Sequence, residues 1–312
     1  MACITDTNSI DLTVSGGTIS ADLKVDPGAG KPPNPLQINA TGVYVQGADG
    51  WLPLPATLAF SSASAPTYVA TTSVDLTSFI SPGMKFKCTQ AAVVRYFEVV
   101  AITAGNITLY GGDQQVLGAF AITDPYFSTV HEPAAFPALT VATTLPSVAY
   151  DGMRIVVVVD AASGYVWNFR YRAASASAYK WEFAGGAEIR TGVATDESVP
   201  SSGGWVNLAT DGPSFVLPAG IGGDFLCDGR AAAANTSGAT QGVSVGVAVG
   251  NTTPADPVQH NTFNGGREEA TAHPRLTAVA AGSTLKLRYL AAASVAISFG
   301  YRSLSVVPLR VG

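Results

Sequence analysis

The sequence predicts an all-β protein in which several small β modules precede a C-terminal, jelly-roll-like β-sandwich. Apolar and polar residues alternate along short runs, Gly and Pro recur between the runs, and almost no stretch repeats apolar residues at the helical period. Successive side chains of a strand point to opposite faces, so this alternation is typical of strands with one buried face. Seven or eight such runs follow residue 203, as expected for a jelly roll.

The most informative stretch is 149–186, which predicts a three-stranded meander with an aromatic face. Its first strand is the β-branched run 155–159, and turn-forming residues separate it from two runs in which aromatic residues alternate with other types. We interpret the aromatic face as hydrophobic core. Its residues are Tyr165, Trp167, Phe169 and Tyr171 in the second run and Tyr179, Trp181 and Phe183 in the third.

A ligand platform is the alternative interpretation of this aromatic face. Aromatic rings near arginines also stack nucleic acid bases. The net charge of −5 opposes that use, because surfaces that bind nucleic acid are usually basic. We therefore expect no nucleic-acid partner.

Changes in composition divide the chain into four predicted units. The first carries hairpin signals on both sides of a proline-rich loop, and the second has short strands at the spacing of a small barrel or sandwich. The third is the aromatic meander and the fourth is the jelly-roll domain. The boundaries are 1–50, 51–137, 138–190 and 191–312. A polar stretch at 187–202 predicts a linker before the last unit.

The composition predicts large subunit interfaces. Only 12% of residues are charged and 47% are hydrophobic, and a monomer rarely exposes large apolar patches. The hairpins within 1–50 are too small to be stable alone, because an isolated two-stranded hairpin is marginal in water. We therefore expect a homo-oligomer, a trimer if the resemblance given below holds, whose residues 1–50 add strands to a partner protein.

The sequence contains none of the spacings that metal, nucleotide or nucleophile sites require. The three histidines lack HExxH or HxH spacing, and the three cysteines form no CxxC pair. The adjacent carboxylates Asp196 and Glu197, like Glu268 and Glu269, would point to opposite faces of a strand, so neither pair predicts an acid–base dyad. We expect no catalytic residue, no cofactor and no metal ion, and predict that the protein is not an enzyme.

Targeting signals are also missing from the sequence. No apolar window approaches the roughly 20 residues of a membrane-spanning helix, and the first residues lack the basic and apolar parts of a secretory signal. We expect a protein made in a reducing cytoplasm, without membrane insertion.

The longest predicted loop, 251–274, is the candidate ligand-binding segment, and would meet a receptor if the protein has one. It mixes both charge signs with one aromatic residue among polar neighbours, and such side chains hydrogen-bond sugar hydroxyls and stack on sugar rings. A solvated loop without a ligand, or one that packs on the next subunit, is the alternative. The candidate binding residues are His260, Phe263, Arg267 and Glu268.

Four segments, taken in order, resemble modules of the virion fibre and spike proteins of tailed bacteriophages. SIDLTVSGGTISADLKVDP followed by LQINATGVYV resembles their N-terminal segment, and SPGMKFKCTQAAVVRYFEVVAITAGNITLYGG with ITDPYFSTVHEPAAFP resembles a second module. YDGMRIVVVVDAASGYVWNFRYRAASASAYKWEFAGG resembles a third. The part that contains LRY at 287–289 and RSLSVVPLR at 302–310 resembles their jelly-roll end domain.

This resemblance implies a structural virion protein, usually homotrimeric, that is assembled in the host cytoplasm. The implied function is a tail fibre or tail-tip component that binds a host cell-surface glycan or protein and contacts other virion proteins through 1–50. A head fibre or capsid decoration protein is the alternative within the same class. A tailspike depolymerase is the alternative among enzymes, although the family pattern names no catalytic residue.

Overall fold

Every regular element of the described chain is a β-strand. In this computed structural model, none of the described residues belongs to a helix that is long and apolar enough to cross a membrane. Before Asp49 the structure describes only the strands, and it describes side chains from Asp49 onward, within the ranges that follow. The structure describes residues 10–15, 18–23, 36–39, 42–45, 49–199, 203–236, 238–262, 265–291 and 297–312.

Two small antiparallel sheets come first. β1 (Ile10–Ser15) pairs with β2 (Thr18–Leu23), and β3 (Leu36–Asn39) pairs with β4 (Gly42–Val45). Neither pair joins a third strand within the described ranges. The two hairpins predicted for this segment are therefore confirmed, and each is a sheet of the size that is marginal alone.

The second unit is an antiparallel sheet of seven strands. They are β5 (Leu52–Pro53), β6 (Leu58–Ser64), β7 (Thr67–Thr72), β8 (Lys85–Gln90), β9 (Val93–Thr103), β10 (Asn106–Tyr110) and β11 (Ile122–Ser128). The strands lie in the order β5-β11-β8-β9-β10-β7-β6. Tyr68, Phe86 and Phe97 are buried in a common core, which is why aromatic and β-branched residues recur on one face of these strands.

The rest of the chain forms a ten-stranded sheet and a four-stranded sheet. The larger sheet contains β12 (Thr140–Val141), β13 (Arg154–Asp160), β14 (Tyr165–Tyr171), β15 (Trp181–Gly186), β16 (Ile189–Val193) and β17 (Glu197–Ser198). It continues with β19 (Gly223–Asn235), β22 (Arg267–Ala272), β23 (Arg275–Val279) and β25 (Ile297–Val311). The smaller sheet contains β18 (Ser214–Val216), β20 (Gln241–Val249), β21 (Val258–Thr262) and β24 (Thr284–Ala291), in the order β18-β24-β20-β21.

The last strand, β25, is the central strand of the larger sheet. It pairs with β19 along one side and with β15, β16 and β17 along the other. The aromatic meander of β13, β14 and β15 is therefore hydrogen-bonded directly to the strands of the C-terminal sandwich. One apolar core, which includes Trp167, Phe225, Val247 and Leu304, fills the space between the two sheets.

The predicted core role of the aromatic face is confirmed at its centre. Trp167 and Phe169 have 0% exposure, and Trp181 is also buried. The Trp167 ring packs at 6.0 Å on Phe215 from the smaller sheet, and its Nε1 donates a hydrogen bond to the carbonyl of Ala187 at 2.9 Å. Tyr165, at the start of β14, remains 40% exposed.

Two predicted irregular segments are wrong in part. The polar stretch 187–202 contains β16 and β17, and Ile189 and Val199 on it are buried. The predicted loop 251–274 contains β21 and β22. In β22 the core-facing residues are alanines, which bury too little apolar surface to mark a strand in the sequence.

Candidate functional site

The predicted binding residues lie at one edge of the sandwich. His260 is on β21, the edge strand of the smaller sheet, and Arg267 and Glu268 are on β22, the edge strand of the larger sheet. Phe263 lies outside the described residues. The chain thus crosses from one sheet to the other within this segment.

The structure does not gather His260, Arg267 and Glu268 into one cluster. Arg267 and Glu268 are adjacent in a strand, so their side chains diverge. The Nε2 atom of His260 accepts a hydrogen bond from the backbone nitrogen of Thr271 at 3.4 Å. Thr271 is four residues beyond Arg267, which is roughly 13 Å along a strand. Only Arg267 takes part in the cluster described next.

Arg267 lies against an exposed tyrosine. Its guanidinium carbon is 4.9 Å from the centre of the Tyr301 ring, and its Nη2 atom forms an ion pair with Asp196. Tyr301 is 66% exposed, among the most exposed large hydrophobic residues of the described chain. We call Tyr301, Arg267 and Asp196 the tyrosine platform.

A β-bulge in β25 presents Tyr301 to solvent. Ala232 opposes Gly300 and Arg230 opposes Ser303, so Tyr301 and Arg302 together face Ala231. Tyr301 has a φ of 47°, a left-handed conformation that is uncommon for a bulky residue. Bulges of this kind re-aim side chains at functional edges of sheets. Here the bulge turns Tyr301 outward and Arg302 inward.

Arg302 fixes the bulge from beneath. Its side chain is completely buried and forms an ion pair with Glu197 at 2.9 Å. It also donates hydrogen bonds to the carbonyls of Thr210 and Gly212, at 3.2 and 3.3 Å. A buried guanidinium that is paired and hydrogen-bonded in this way holds the backbone around it in one arrangement.

Glu197 stays ionised beneath the platform. The hydrogen bonds from Thr210 lower the pKa of the Glu197 carboxyl, and the positive charge of Arg302 lowers it further. Burial raises the pKa of the Tyr289 hydroxyl, which lies beside the Arg302 guanidinium and donates a hydrogen bond to the carbonyl of Gly212. The two charged groups beneath the platform, the Glu197 carboxylate and the Arg302 guanidinium, therefore neutralise each other.

Gly300 gives Asp196 room to reach the platform. A Cβ atom at residue 300 would lie 1.5 Å from the Asp196 Oδ1 atom, far inside van der Waals contact. A side chain at residue 300 would therefore displace the Asp196 carboxylate from its present position beside Arg267. The prediction that Asp196 and Glu197 diverge is confirmed, since Asp196 faces Arg267 and Glu197 faces Arg302.

The tyrosine platform has the chemistry of a surface that binds hydroxyl-rich ligands. An exposed aromatic ring stacks on the apolar face of a sugar, and a guanidinium and a carboxylate beside it donate and accept hydrogen bonds.

Within the described ranges, no group of three or more His, Cys, Asp or Glu side chains is arranged to hold a metal ion. Burial raises the pKa of both Cys88 and Cys227 to about 12, which keeps these thiols protonated.

No protein-family model matches this chain, and no curated protein matches it. Among solved structures it is similar to T=1 particles derived from infectious bursal virus, with 10% identity and a TM-score of 0.28 over 82% of this chain and 71% of the other. It is similar to an exo-β-1,3-galactanase from Phanerochaete chrysosporium, with 10% identity and a TM-score of 0.20 over 80% and 56% of the two chains. An isomalto-dextranase from Arthrobacter globiformis gives 13% identity and a TM-score of 0.18 over 84% and 35%. These TM-scores are too low to support any argument about function.

Sequence reasoning missed Tyr301 and Asp196 as candidate binding residues. Tyr301 interrupts the alternation of β25, where Gly300, Tyr301 and Arg302 follow a buried phenylalanine. This interruption is a sequence signal for a bulge, but the partner strand that turns it into one is far away in the chain.

Proposed function

We propose that this chain is a structural protein of a bacteriophage virion, a tail fibre or tail-tip component that binds the host cell surface. The observation that carries the proposal is the tyrosine platform, an exposed aromatic ring held by a rigid bulge at one edge of the sandwich. The order of the four segments that resemble phage fibre modules supports the virion assignment. The platform supports a glycan as the host ligand.

We place the contact with other virion proteins in residues 1–50. β1 with β2 and β3 with β4 are each two-stranded sheets with free edges in the described ranges, and such edges accept a strand from a partner. A homotrimer is part of the same proposal. Exposed apolar side chains at one tip of the seven-stranded sheet, at Val93, Val94 and Phe120, would be buried between subunits.

The test of the proposed function is binding of the purified chain to an array of bacterial surface polysaccharides. We expect the wild-type chain to bind, and Tyr301→Ala to lose at least about tenfold in affinity because the stacking ring is gone. Tyr165→Ala is the matched control, since Tyr165 is also an exposed tyrosine of the same sheet. Equal binding by wild type and Tyr301→Ala would remove the platform from the proposal.

Two further measurements separate the alternatives. Antibody labelling of virions in electron micrographs distinguishes a tail component from a head fibre or capsid decoration protein. Incubation with the polysaccharide that binds best, followed by an assay for new reducing ends, distinguishes a binding protein from a depolymerase. Release of reducing ends would replace the binding function with an enzymatic one.

A further inference from the structure

The charged groups of the tyrosine platform continue across the outer face of the larger sheet. On β22 the core-facing residues are Ala270 and Ala272, so Arg267 and Glu269 project from the outer face, two residues and roughly 7 Å apart. Arg230 on β19 lies on the same outer face, and its Nη1 atom is 3.8 Å from the Glu269 Oε1 atom. The platform is therefore followed by a second carboxylate and a second guanidinium.

A furrow crosses the sheet between the two arginines. Its floor is Ala232, a partly exposed residue with only a methyl side chain, in register with Glu269 on one side and with Gly300 on the other. Arg230 is two residues before Ala232 in β19, and Arg267 is in register with the residue two positions after it. The backbone rows that carry the two arginines are thus roughly 13 Å apart.

Long polar side chains bound this furrow. The Arg267 side chain crosses β19 to reach β25, since its Nη2 atom is 3.1 Å from the position that a Cβ atom of residue 300 would occupy. The Asp196 carboxylate covers Gly300 at that end, and Glu269 stands two strands away, roughly 10 Å across the sheet. The Tyr301 ring adjoins the furrow through its contact with Arg267.

Each guanidinium of the furrow already has a carboxylate partner. Arg267 pairs with Asp196, and Nε and Nη2 of Arg230 donate hydrogen bonds to the Asp228 carboxylate at 3.0 and 2.7 Å. With Glu269, three carboxylates stand against two guanidinium groups, a net charge of −1 when histidine is counted as neutral. An anionic ligand would therefore have to break an ion pair and approach an excess of negative charge.

The paired groups keep donors and acceptors for hydroxyl groups. A guanidinium has more N–H donors than one carboxylate uses, and a carboxylate accepts more than one hydrogen bond. Among the described residues Glu269 accepts no hydrogen bond, because 3.8 Å from Arg230 is too long for one. A hydroxyl group both donates and accepts, so it can bond to either kind of group without breaking an ion pair.

We propose that the tyrosine platform and the furrow bind consecutive sugars of an uncharged polysaccharide, one ring stacked on Tyr301 and a neighbouring ring over Ala232. The proposal rests on the proposed glycan-binding function of the platform, and it adds the charge class of the ligand and a second contact. Arg230 and Glu269 bind hydroxyl groups of the second sugar, and the Ala232 methyl group contacts its apolar face.

The first test concerns charge, and compares acidic polysaccharides of the array with their carboxyl-reduced forms, in which each carboxylate is a neutral hydroxymethyl group. We expect the wild-type chain to bind the reduced forms at least about threefold more tightly, with a difference that shrinks as salt is added. Glu269→Gln should narrow this difference. Glu132→Gln is the matched control, because Glu132 is an exposed glutamate outside the sandwich and its replacement changes the net charge equally. Tighter binding of the acidic forms would overturn the charge class.

The second test fills the furrow and leaves the tyrosine ring in place. Ala232→Leu should lose about tenfold in affinity for the polysaccharide that binds best, measured by calorimetric titration. Ala184→Leu is the control, since Ala184 is an exposed alanine of the same sheet. With size-fractionated fragments of that polysaccharide, the wild-type affinity should rise from one sugar to two, and this rise should vanish in Ala232→Leu.

Glu269→Ala gives the same test by shortening an exposed side chain, with an expected loss of about threefold. If Ala232→Leu and Glu269→Ala bind as tightly as wild type while Tyr301→Ala is weakened, the furrow is not part of the site and the tyrosine platform stands alone. Equal affinity of Tyr301→Ala and wild type would contradict the platform itself, and this inference with it. Failure of the furrow and failure of the platform are therefore distinguishable.

Discussion

At the scale of single residues, alternate side chains of one strand face the core or the outer surface of the sandwich. Along β14, Trp167 and Phe169 are buried between the sheets while Asn168 and Arg170 face outward. The aromatic rings therefore contribute buried surface, and the polar residues of the same strand lie on the outer face of the sheet.

We expect Trp167→Ala to lower the free energy of unfolding by about 3–5 kcal/mol, since it removes a fully buried ring. The ring contacts Phe169, Phe215 and Phe225, so the space that it leaves would be a cavity in the shared core. Urea denaturation measures the change, with Tyr165→Ala as the control. An unchanged midpoint with lost binding to cells would instead support the ligand-platform interpretation of this face.

We expect Glu197→Gln to destabilise the protein by about 3 kcal/mol at pH 7, because it leaves the buried Arg302 without its carboxylate. The pKa of Glu197 is lowered in the folded state, so its contribution is present above the unfolded value near 4.5 and is lost as pH falls through the folded value. The difference between wild type and variant should therefore shrink below pH 4.5. Urea denaturation at pH 7, 5 and 3 checks this, and a pH-independent difference would contradict it.

At the scale of elements, β25 pairs with strands on both of its sides in the larger sheet, and its bulge positions Tyr301 in the tyrosine platform. The strand is 15 residues long and pairs on both sides, so its backbone is fixed except at the step where Tyr301 and Arg302 face one residue of β19. A bulge within a strand that is held so firmly presents its side chain without further support from a loop.

We expect Gly300→Ala to abolish binding at the tyrosine platform with little change in the Tm, because only the flexible, half-exposed Asp196 side chain has to move. The new methyl group would overlap Asp196 and displace it from Arg267. Gly105→Ala is the control, because a Cβ at Gly105 meets no atom within 4 Å. Binding to the polysaccharide array and thermal denaturation measure the two effects. Retention of full affinity would show that Asp196 is not part of the binding surface.

At the scale of the whole molecule, polar contacts join the seven-stranded sheet to the sandwich. Glu98 on β9 forms a buried ion pair with Lys85 at 2.5 Å and accepts a hydrogen bond from the Tyr150 hydroxyl at 2.6 Å. Burial raises the pKa of Tyr150, and the hydrogen bond to Glu98 raises it further. Asp113 adds a second contact, accepting a hydrogen bond from the backbone nitrogen of Ala142 at 2.7 Å. These contacts tie the two units together.

We expect the full chain to be a homotrimer in solution, with three times the chain mass of 31.9 kDa in light scattering at micromolar concentration. The physical reason is the exposed apolar tip around Phe120, together with the low fraction of charged residues. Phe120→Asp with Val94→Asp should lower the mass, whereas Val216→Asp, at an exposed valine of the smaller sheet, should not. A monomer mass for the wild-type chain would contradict the prediction.

The all-β class and most strand positions were determined by the sequence itself. The β-branched run 155–159 and the alternating run from Tyr165 to Tyr171 place β13 and β14 within one residue of their observed ends, because side-chain period and burial are local properties. The aromatic face of β14 was assigned to the core for the same reason. Local alternation failed where the buried residues are small, as in the alanines of β22, or where one strand pairs along several others, as at 189–198.

Only the tertiary structure decided the candidate sites. Arg267, Asp196 and Tyr301 are far apart in the chain and meet because β22, β19 and β25 are neighbours and a bulge turns one side chain outward. Register and long-range pairing are set by the whole sheet, so local patterns in the sequence determine which residues are strands but not which side chains meet.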